Sequence, residues 1–428
     1  MSIPFLRFVP SMFPTPAGSA TRWSSPIDSV MGRDGASLLL SRVLQMANGF
    51  ALSLVLIKKF GLAGVGTYTV AAVATSALSM LCSVGLPYSL PRESIRDPER
   101  NSVAGLWAVL LLPLVGVVAI AFGCLMARRP GEWIEIALFA CGGYFLGQIN
   151  VLNTLLLLQR CIDRMLIVPL FTFAGIVMGL FHNGSMAQFA VILLIARAMG
   201  NIAVFAGMKY GRVSVSSAVR YGVSGLKYSP MDVLAMVSEQ AAGLIAAGSL
   251  PRTDLGQYGL CQQLLGAADT PGWAMVQSRY PELVRTPLAL SRHLRQSLFR
   301  ISFLVAALLL GVGAVLGRYV YNVPGFFAMM AFLALSIPSR YLTNFYDQLL
   351  RAAGCIRAGT QLATAKLVGG VFVFWMLVSA LGLWGCILAS VLISVALTFL
   401  YRQRALPIVN GRSLRLGGGQ DGVRAGVE

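Results

Sequence analysis

Twelve apolar blocks recur along the chain, at about 36–57, 67–91, 103–126, 132–158, 165–182, 187–208, 230–248, 256–278, 298–318, 325–349, 360–380 and 384–401. About 20 apolar residues in a helix cross the hydrocarbon core of a bilayer. Inside that core every backbone polar group must find its partner within the protein, so a chain of this kind folds as a bundle of spanning helices. Composition agrees: 57% of the 428 residues are hydrophobic and 12% are charged. A soluble domain carries about 25% charged residues, so an ordinary water-soluble enzyme is excluded. Block 256–278 is the least apolar of the twelve, and no connecting segment is long enough for a separate domain.

The formal charge is +18, from 34 Lys and Arg against 16 Asp and Glu. In a soluble protein such an excess would suggest a nucleic-acid partner. Its placement argues otherwise. With both termini in the cytoplasm, 24 of the 34 cations fall in cytoplasmic segments and six on the opposite side. Cytoplasmic loops of membrane proteins carry such an excess, and no nucleic acid is needed to explain it. The remaining four, Arg42, Arg197, Arg340 and Lys366, lie inside apolar blocks.

Residues 1–35 lack the continuous apolar core of a cleavable signal peptide. They and residues 403–428 are expected to be disordered cytoplasmic tails. The seven cysteines show no C-x-x-C spacing, and there are two histidines. No disulfide framework, metal site or cofactor is expected.

An internal repeat organises the twelve blocks. Segment 60–93 aligns without a gap on 250–283 at a shift of 190 residues. Gly66 then falls on Gly256, Tyr68 on Tyr258, Ala77 on Ala267 and Pro91 on Pro281. Both segments hold the second span of a six-span half, and both begin with a Gly-x-Tyr turn. This predicts an N-lobe at 36–208, a cytoplasmic connector at 209–229 and a C-lobe at 230–402. Two such lobes, related by an axis along the membrane normal, enclose a central cavity suited to alternating access.

Several short motifs carry a resemblance. Phe60-Gly61, Gly64-x-Gly66-x-Tyr68, Ser83-x-Gly85-Leu86-Pro87 and Arg92 resemble the second-helix pattern of the polysaccharide-biosynthesis flippases. Leu255-Gly256-x-Tyr258, Tyr280-Pro281-Glu282 and Arg351-Ala352-Ala353-Gly354 are similar to the corresponding parts of the second half. That family belongs to the multidrug/oligosaccharidyl-lipid/polysaccharide exporter superfamily, and the resemblance covers about residues 36–402. Lys58-Lys59 departs from the commonest pattern. The resemblance implies an all-helical fold of two six-helix lobes, like that of the MATE transporters and flippases. It also implies movement of undecaprenyl-diphosphate-linked repeat units across a bacterial inner membrane, for O-antigen or exopolysaccharide assembly. A monomer is expected, in the lipid bilayer, with a polysaccharide polymerase and a chain-length regulator as further partners.

Charged and polar residues in the spans are the site candidates, because such groups are rare and costly in hydrocarbon. Arg197 lies near the midpoint of its span, where it needs a cavity or a partner. Arg42, Gln45 and Asn48 share an arc of one helix, which suggests a cavity face; snorkelling of Arg42 to the interface is the alternative. Arg340, Asn344, Asp347 and Arg351 form one helical stripe. Arg340 is a candidate for phosphate, with Asp347 as its local partner; the alternative is an Asp347–Arg351 pair at the membrane edge. Lys366 either joins the site or snorkels. Arg42, Arg197, Arg340 and Lys366, with Gln45, Asn48 and Asn344, are therefore the candidate substrate-binding set. Glu239, Asp269 and Asp347 are candidates for ion coupling, with salt bridges to Arg197, Arg340 or Lys366 as the plainer alternative.

Two other functions compete. A cationic drug exporter would prefer an acidic cavity. A membrane glycan polymerase or ligase would need a long extracytoplasmic loop, and none of the expected outer loops is long.

Overall fold

A computed structural model describes residues 26–83, 86, 90, 96–159, 161–225, 230–285, 287–353 and 355–409. The described residues form thirteen α-helices and no strand. They are α1 (Pro26–Ser83), α2 (Asp97–Met126), α3 (Glu132–Leu158), α4 (Ile167–Phe181), α5 (Met186–Ala206), α6 (Val215–Gly225) and α7 (Pro230–Ser249). Then follow α8 (Arg252–Arg285), α9 (Pro287–Val315), α10 (Phe326–Ala334), α11 (Ile337–Ala352), α12 (Ile356–Leu381) and α13 (Leu383–Val409).

The chain is a multi-pass membrane protein. Eight of the described helices are long and apolar enough to cross a membrane, and α10 with α11, bent by 41° at their junction, makes a ninth. Each of the twelve expected blocks overlaps a described helix, but α7 and α8 fall below that level of apolarity. Their polar residues line the cavity described below.

Helix α1 is long enough for two passes. Its contacts show that it folds back. Ser41, Asn48 and Lys59 meet Met165, Pro169 and Gly179 in turn, ascending beside α4. Thr67 and Thr75 then meet Glu132 and Phe139, descending beside α3. Between these arms lies Gly61, with φ +66°. Only glycine takes that conformation without steric penalty. The helix begins at Pro26, ten residues ahead of the expected lobe boundary, and α13 continues to Val409. Residues 26–35 and 403–409 are thus helical rather than disordered, since each adjoins a helix that has room to extend by further turns.

The second half repeats the first. Pro287, which opens α9, stands 190 residues after Asp97, which opens α2. The halves meet chiefly through α1 against α8 and α7. Glycines bring the backbones together. A Cβ on Gly66 would lie 2.0 Å from the Arg252 carbonyl oxygen, and one on Gly256 would lie 2.3 Å from that of Leu62. These contacts exchange under the 190-residue shift. So do the Ser53–Gln263 hydrogen bond and the approach of Val73 to Gly243. Thr69 and Gly259 touch each other and are each other's counterpart, which puts them on the axis.

Within each half, small residues close the packing, as is usual between helices in lipid. A Cβ on Gly147 would sit 2.4 Å from the Ser79 Cα, so α3 rides directly on α1. Ser185 caps α5 with a reciprocal Ser–Gln box to Gln188, which satisfies two otherwise orphaned backbone donors.

Candidate functional site

A cavity of about 830 Å³ lies between the halves, and α1, α7, α8, α11, α12 and α13 line it. Helices α2 to α5 of the first half contribute nothing to its wall. One end reaches Val65 and Tyr258, where the helical Gly66 and Gly256 bring the two halves into backbone contact and close it, and the opposite end reaches Asp347 and Tyr401.

The chemistry of the wall is mixed. Asp269 and Arg340 form its central ion pair. Arg340 Nε lies 2.9 Å from Asp269 Oδ1 and 2.8 Å from Oδ2, and Nη2 donates to Oδ2 as well. The two side chains keep 27% and 33% of their surface open, so the pair faces the cavity rather than the protein interior. One turn further along α11, Asn344 and Asp347 line the wall, and Arg351 Nε holds Asp347 Oδ2 at 2.8 Å. Lys366 enters from α12. Aromatic faces surround these charges: Tyr68, Tyr258, Trp273, Tyr341 and Phe374. Amide groups come from Gln240, Gln262 and Gln263.

Local structure fixes these groups. The α11 stripe follows from 3.6-residue periodicity, with Phe345 and Leu349 buried on the other face. The Tyr341 hydroxyl donates to the Ala268 carbonyl at 2.7 Å, locking α11 to α8 beside the ion pair. Thr398 ties α13 to α11 through the Thr343 hydroxyl and the Ser339 carbonyl, each at 2.8 Å.

The structure thus gathers five of the expected residues, Asp269, Arg340, Asn344, Asp347 and Lys366, on one wall. Asp347 pairs with Arg351, its neighbour one helical turn on, and Arg340 with Asp269 of α8. Arg197 and the first-half amides are placed elsewhere. Asn48 is buried and donates to the Pro169 carbonyl at 2.7 Å. It binds α1 to α4 instead of facing the cavity, because a buried amide takes the nearest backbone acceptor. Gln45 is likewise off the cavity wall. The side chains of Arg42 and Glu239 lie outside the described residues.

Arg197 is 3% exposed and does not touch the cavity. Among the described residues no carboxylate pairs with it. Its polar neighbour is the Tyr68 hydroxyl, while its Nε has no partner among the described residues. Gly142 makes room for the guanidinium: a Cβ there would lie 2.9 Å from Nη1.

The cavity's aromatic residues escaped the sequence reading, because a tyrosine in an apolar span resembles core. One signal was present. Tyr68 and Tyr258 end the two Gly-x-Tyr motifs, which are helical rather than the expected turns, and both line the cavity.

No known protein family matches the chain by sequence, and no curated protein matches it. Solved structures do match in fold. The inward-facing conformation of a multidrug resistance MATE family transporter of the MOP superfamily superposes with a TM-score of 0.66 at 12% identity, covering 90% of this chain and 99% of that one. The MATE multidrug transporter DinF-BH gives 0.65 at 14% identity, covering 92% and 100%. An outward-facing conformation of a MATE family transporter gives 0.58 at 11% identity, covering 90% and 96%. The chain has the fold of these transporters, which are not enzymes.

Proposed function

We propose that the chain is an alternating-access transporter that flips undecaprenyl-diphosphate-linked oligosaccharide repeat units from the cytoplasmic to the extracytoplasmic leaflet of a bacterial inner membrane. The observation that carries this reading is the cavity wall. Arg340 and Lys366 offer cations to a diphosphate, the aromatic faces suit the C–H faces of sugar rings, and the glutamines and Asn344 suit hydroxyls. Among the described residues, both cavity carboxylates, Asp269 and Asp347, are already held by an arginine, which leaves them less available to a cationic drug. Arg197 acts from behind Tyr68, as a positioning residue rather than a direct ligand. Asp269, released when phosphate takes Arg340, is the residue assigned to ion coupling.

In this reading both termini are cytoplasmic, and the cavity opens toward the basic side. The higher TM-score against the inward-facing transporter supports that orientation of the opening. The protein works as a monomer in the bilayer and passes its cargo to a polysaccharide polymerase and chain-length regulator. A second reading, an ion-coupled multidrug exporter, draws support from Asp269 and Asp347 on the wall and from the drug transporters that share the fold.

The test is reconstitution in proteoliposomes. Fluorescent lipid-diphosphate oligosaccharide is placed in one leaflet, and its appearance in the other is read by a membrane-impermeant glycosidase. Protein-dependent flipping is expected. Absence of flipping together with pH-driven uptake of an organic cation would overturn the assignment in favour of drug export.

A further inference from the structure

At the closed end of the cavity the halves are joined by an ion-paired cluster. Glu132, which opens α3, is 2% exposed. Its Oε1 accepts from Arg252 Nε at 2.9 Å and from the Thr67 hydroxyl at 2.9 Å, and its Oε2 accepts from the Arg128 backbone N–H at 2.6 Å. Arg252, at the start of α8, also donates to the Met126 carbonyl at 2.7 Å. Arg128 reaches the other way. Its guanidinium donates to the carbonyls of Ala247, Gly248 and Leu250 at the end of α7, at 2.6, 3.1 and 2.9 Å. First-half and second-half arginines thus each clasp the opposite half.

We propose that Glu132, Arg252 and Arg128 form a releasable gate that holds this end shut, so that transport requires the Glu132–Arg252 bond to break and re-form in each cycle. The inference rests on the transporter reading above. Three features distinguish a gate from a permanent clasp. First, Glu132 keeps two partners from its own half, Thr67 and the Arg128 N–H, so parting the halves does not strand a bare carboxylate. A buried charge left alone would be severely destabilising. Second, the closed state is incompletely satisfied. Arg252 Nη1 is buried without a partner among the described residues. Arg252 therefore gains hydration on opening. Burial and the neighbouring Arg252 also lower the pKa of Arg128, which lies outside the spans. Third, the surfaces beneath the cluster are glycine-lined backbone, Gly66 on Arg252 and Gly256 on Leu62. Such faces separate without withdrawing side chains from sockets. Thr67 links the gate to the cavity, since Val65, Tyr68 and Thr69 around it are wall residues.

The test reads conformation and needs no cargo, so it stands apart from the identity of the substrate. Val73 and Gly243 face each other across the halves below the gate, and a Cβ on Gly243 would lie 3.9 Å from the Val73 Cβ. That spacing matches a disulfide. In a chain whose native cysteines are replaced, Val73→Cys with Gly243→Cys is oxidised in proteoliposomes and the cross-linked fraction measured. Near-complete cross-linking is expected with the gate intact. Adding Glu132→Gln or Arg252→Gln is expected to slow cross-linking severalfold, because the halves part more often. Unchanged rates in both variants, in protein that elutes as a single species, would overturn the gate. Where Glu132→Gln yields no folded protein, Arg252→Gln alone carries the same comparison. Failure of lipid flipping with the cross-linking result intact would remove the proposed cargo and leave the gate standing.

Discussion

Two intramembrane arginines, one in each half, meet opposite fates. Arg340 stands on a cavity wall, held by Asp269 and open to water. Arg197 is sealed among first-half helices with a tyrosine for company. The contrast extends to the helix pairs around them. In the first half, the second arm of α1 closes on α3 through Ser79 and Gly147. The corresponding pair in the second half is α8 and α11, and the residue 190 positions after Ser79 is Asp269. Where Ser79 meets a glycine of α3 backbone to backbone, Asp269 meets an arginine of α11 through an ion pair that faces the cavity. One repeated layout therefore gives a dry half and a wet one, and the choice is made by side-chain size and charge at a few crossing points.

The wet half depends most on its central ion pair. Arg340→Ala removes the partner of Asp269. Truncating one member of a buried charge pair costs about 2–5 kcal/mol, and partial exposure places this one at the low end. Transport is expected to fall by at least about 30-fold, with Asp269→Asn in the same background adding little. Equal, multiplying losses in the double mutant would show that the two residues act separately.

The dry end should respond in stability. Gly147→Leu drives a side chain into Ser79, and overpacking of this kind costs about 1–3 kcal/mol. A lowered midpoint of thermal unfolding in detergent is the expected readout. No change would mean that α3 can move off α1 freely.

The smallest effect is expected at the buried cation. Replacing buried charges by apolar residues of similar size is often neutral or stabilising. Arg197→Met should keep thermal stability within about 1 kcal/mol of the parent, or raise it. Its transport defect should be milder than that of Arg340→Ala, and a defect as large would place Arg197 in direct contact with cargo during the cycle.

What the sequence disclosed follows from this contrast. Spans were legible because hydrocarbon imposes length and apolarity on every segment. Asp269, Arg340 and Asp347 were legible because charge inside a span has few explanations. Pairing was harder. Arg340 and Asp347 lie on one helical face, yet Arg340 takes Asp269, 71 residues away in the chain. Asn48 shows the same difficulty in reverse: its polarity is plain in the sequence, but whether an amide meets water or a neighbouring carbonyl depends on α4. Glu132 and Arg252 were passed over because charges at span ends look like ordinary interfacial residues. Only the tertiary fold shows that one is buried and that they touch.

Thr69 and Gly259 carry a consequence for how such a chain can be assembled. They occupy the same position in the two halves and meet across the axis. Were the halves separate identical subunits, each residue there would face its own copy. Two threonines would collide, since a Cβ on Gly259 already falls 2.0 Å from the Thr69 hydroxyl oxygen. Two glycines would leave the centre unfilled. Joining both halves in a single polypeptide permits one large and one small residue at the same spot. The molecule's centre is therefore filled in a way that no exactly symmetric dimer could achieve.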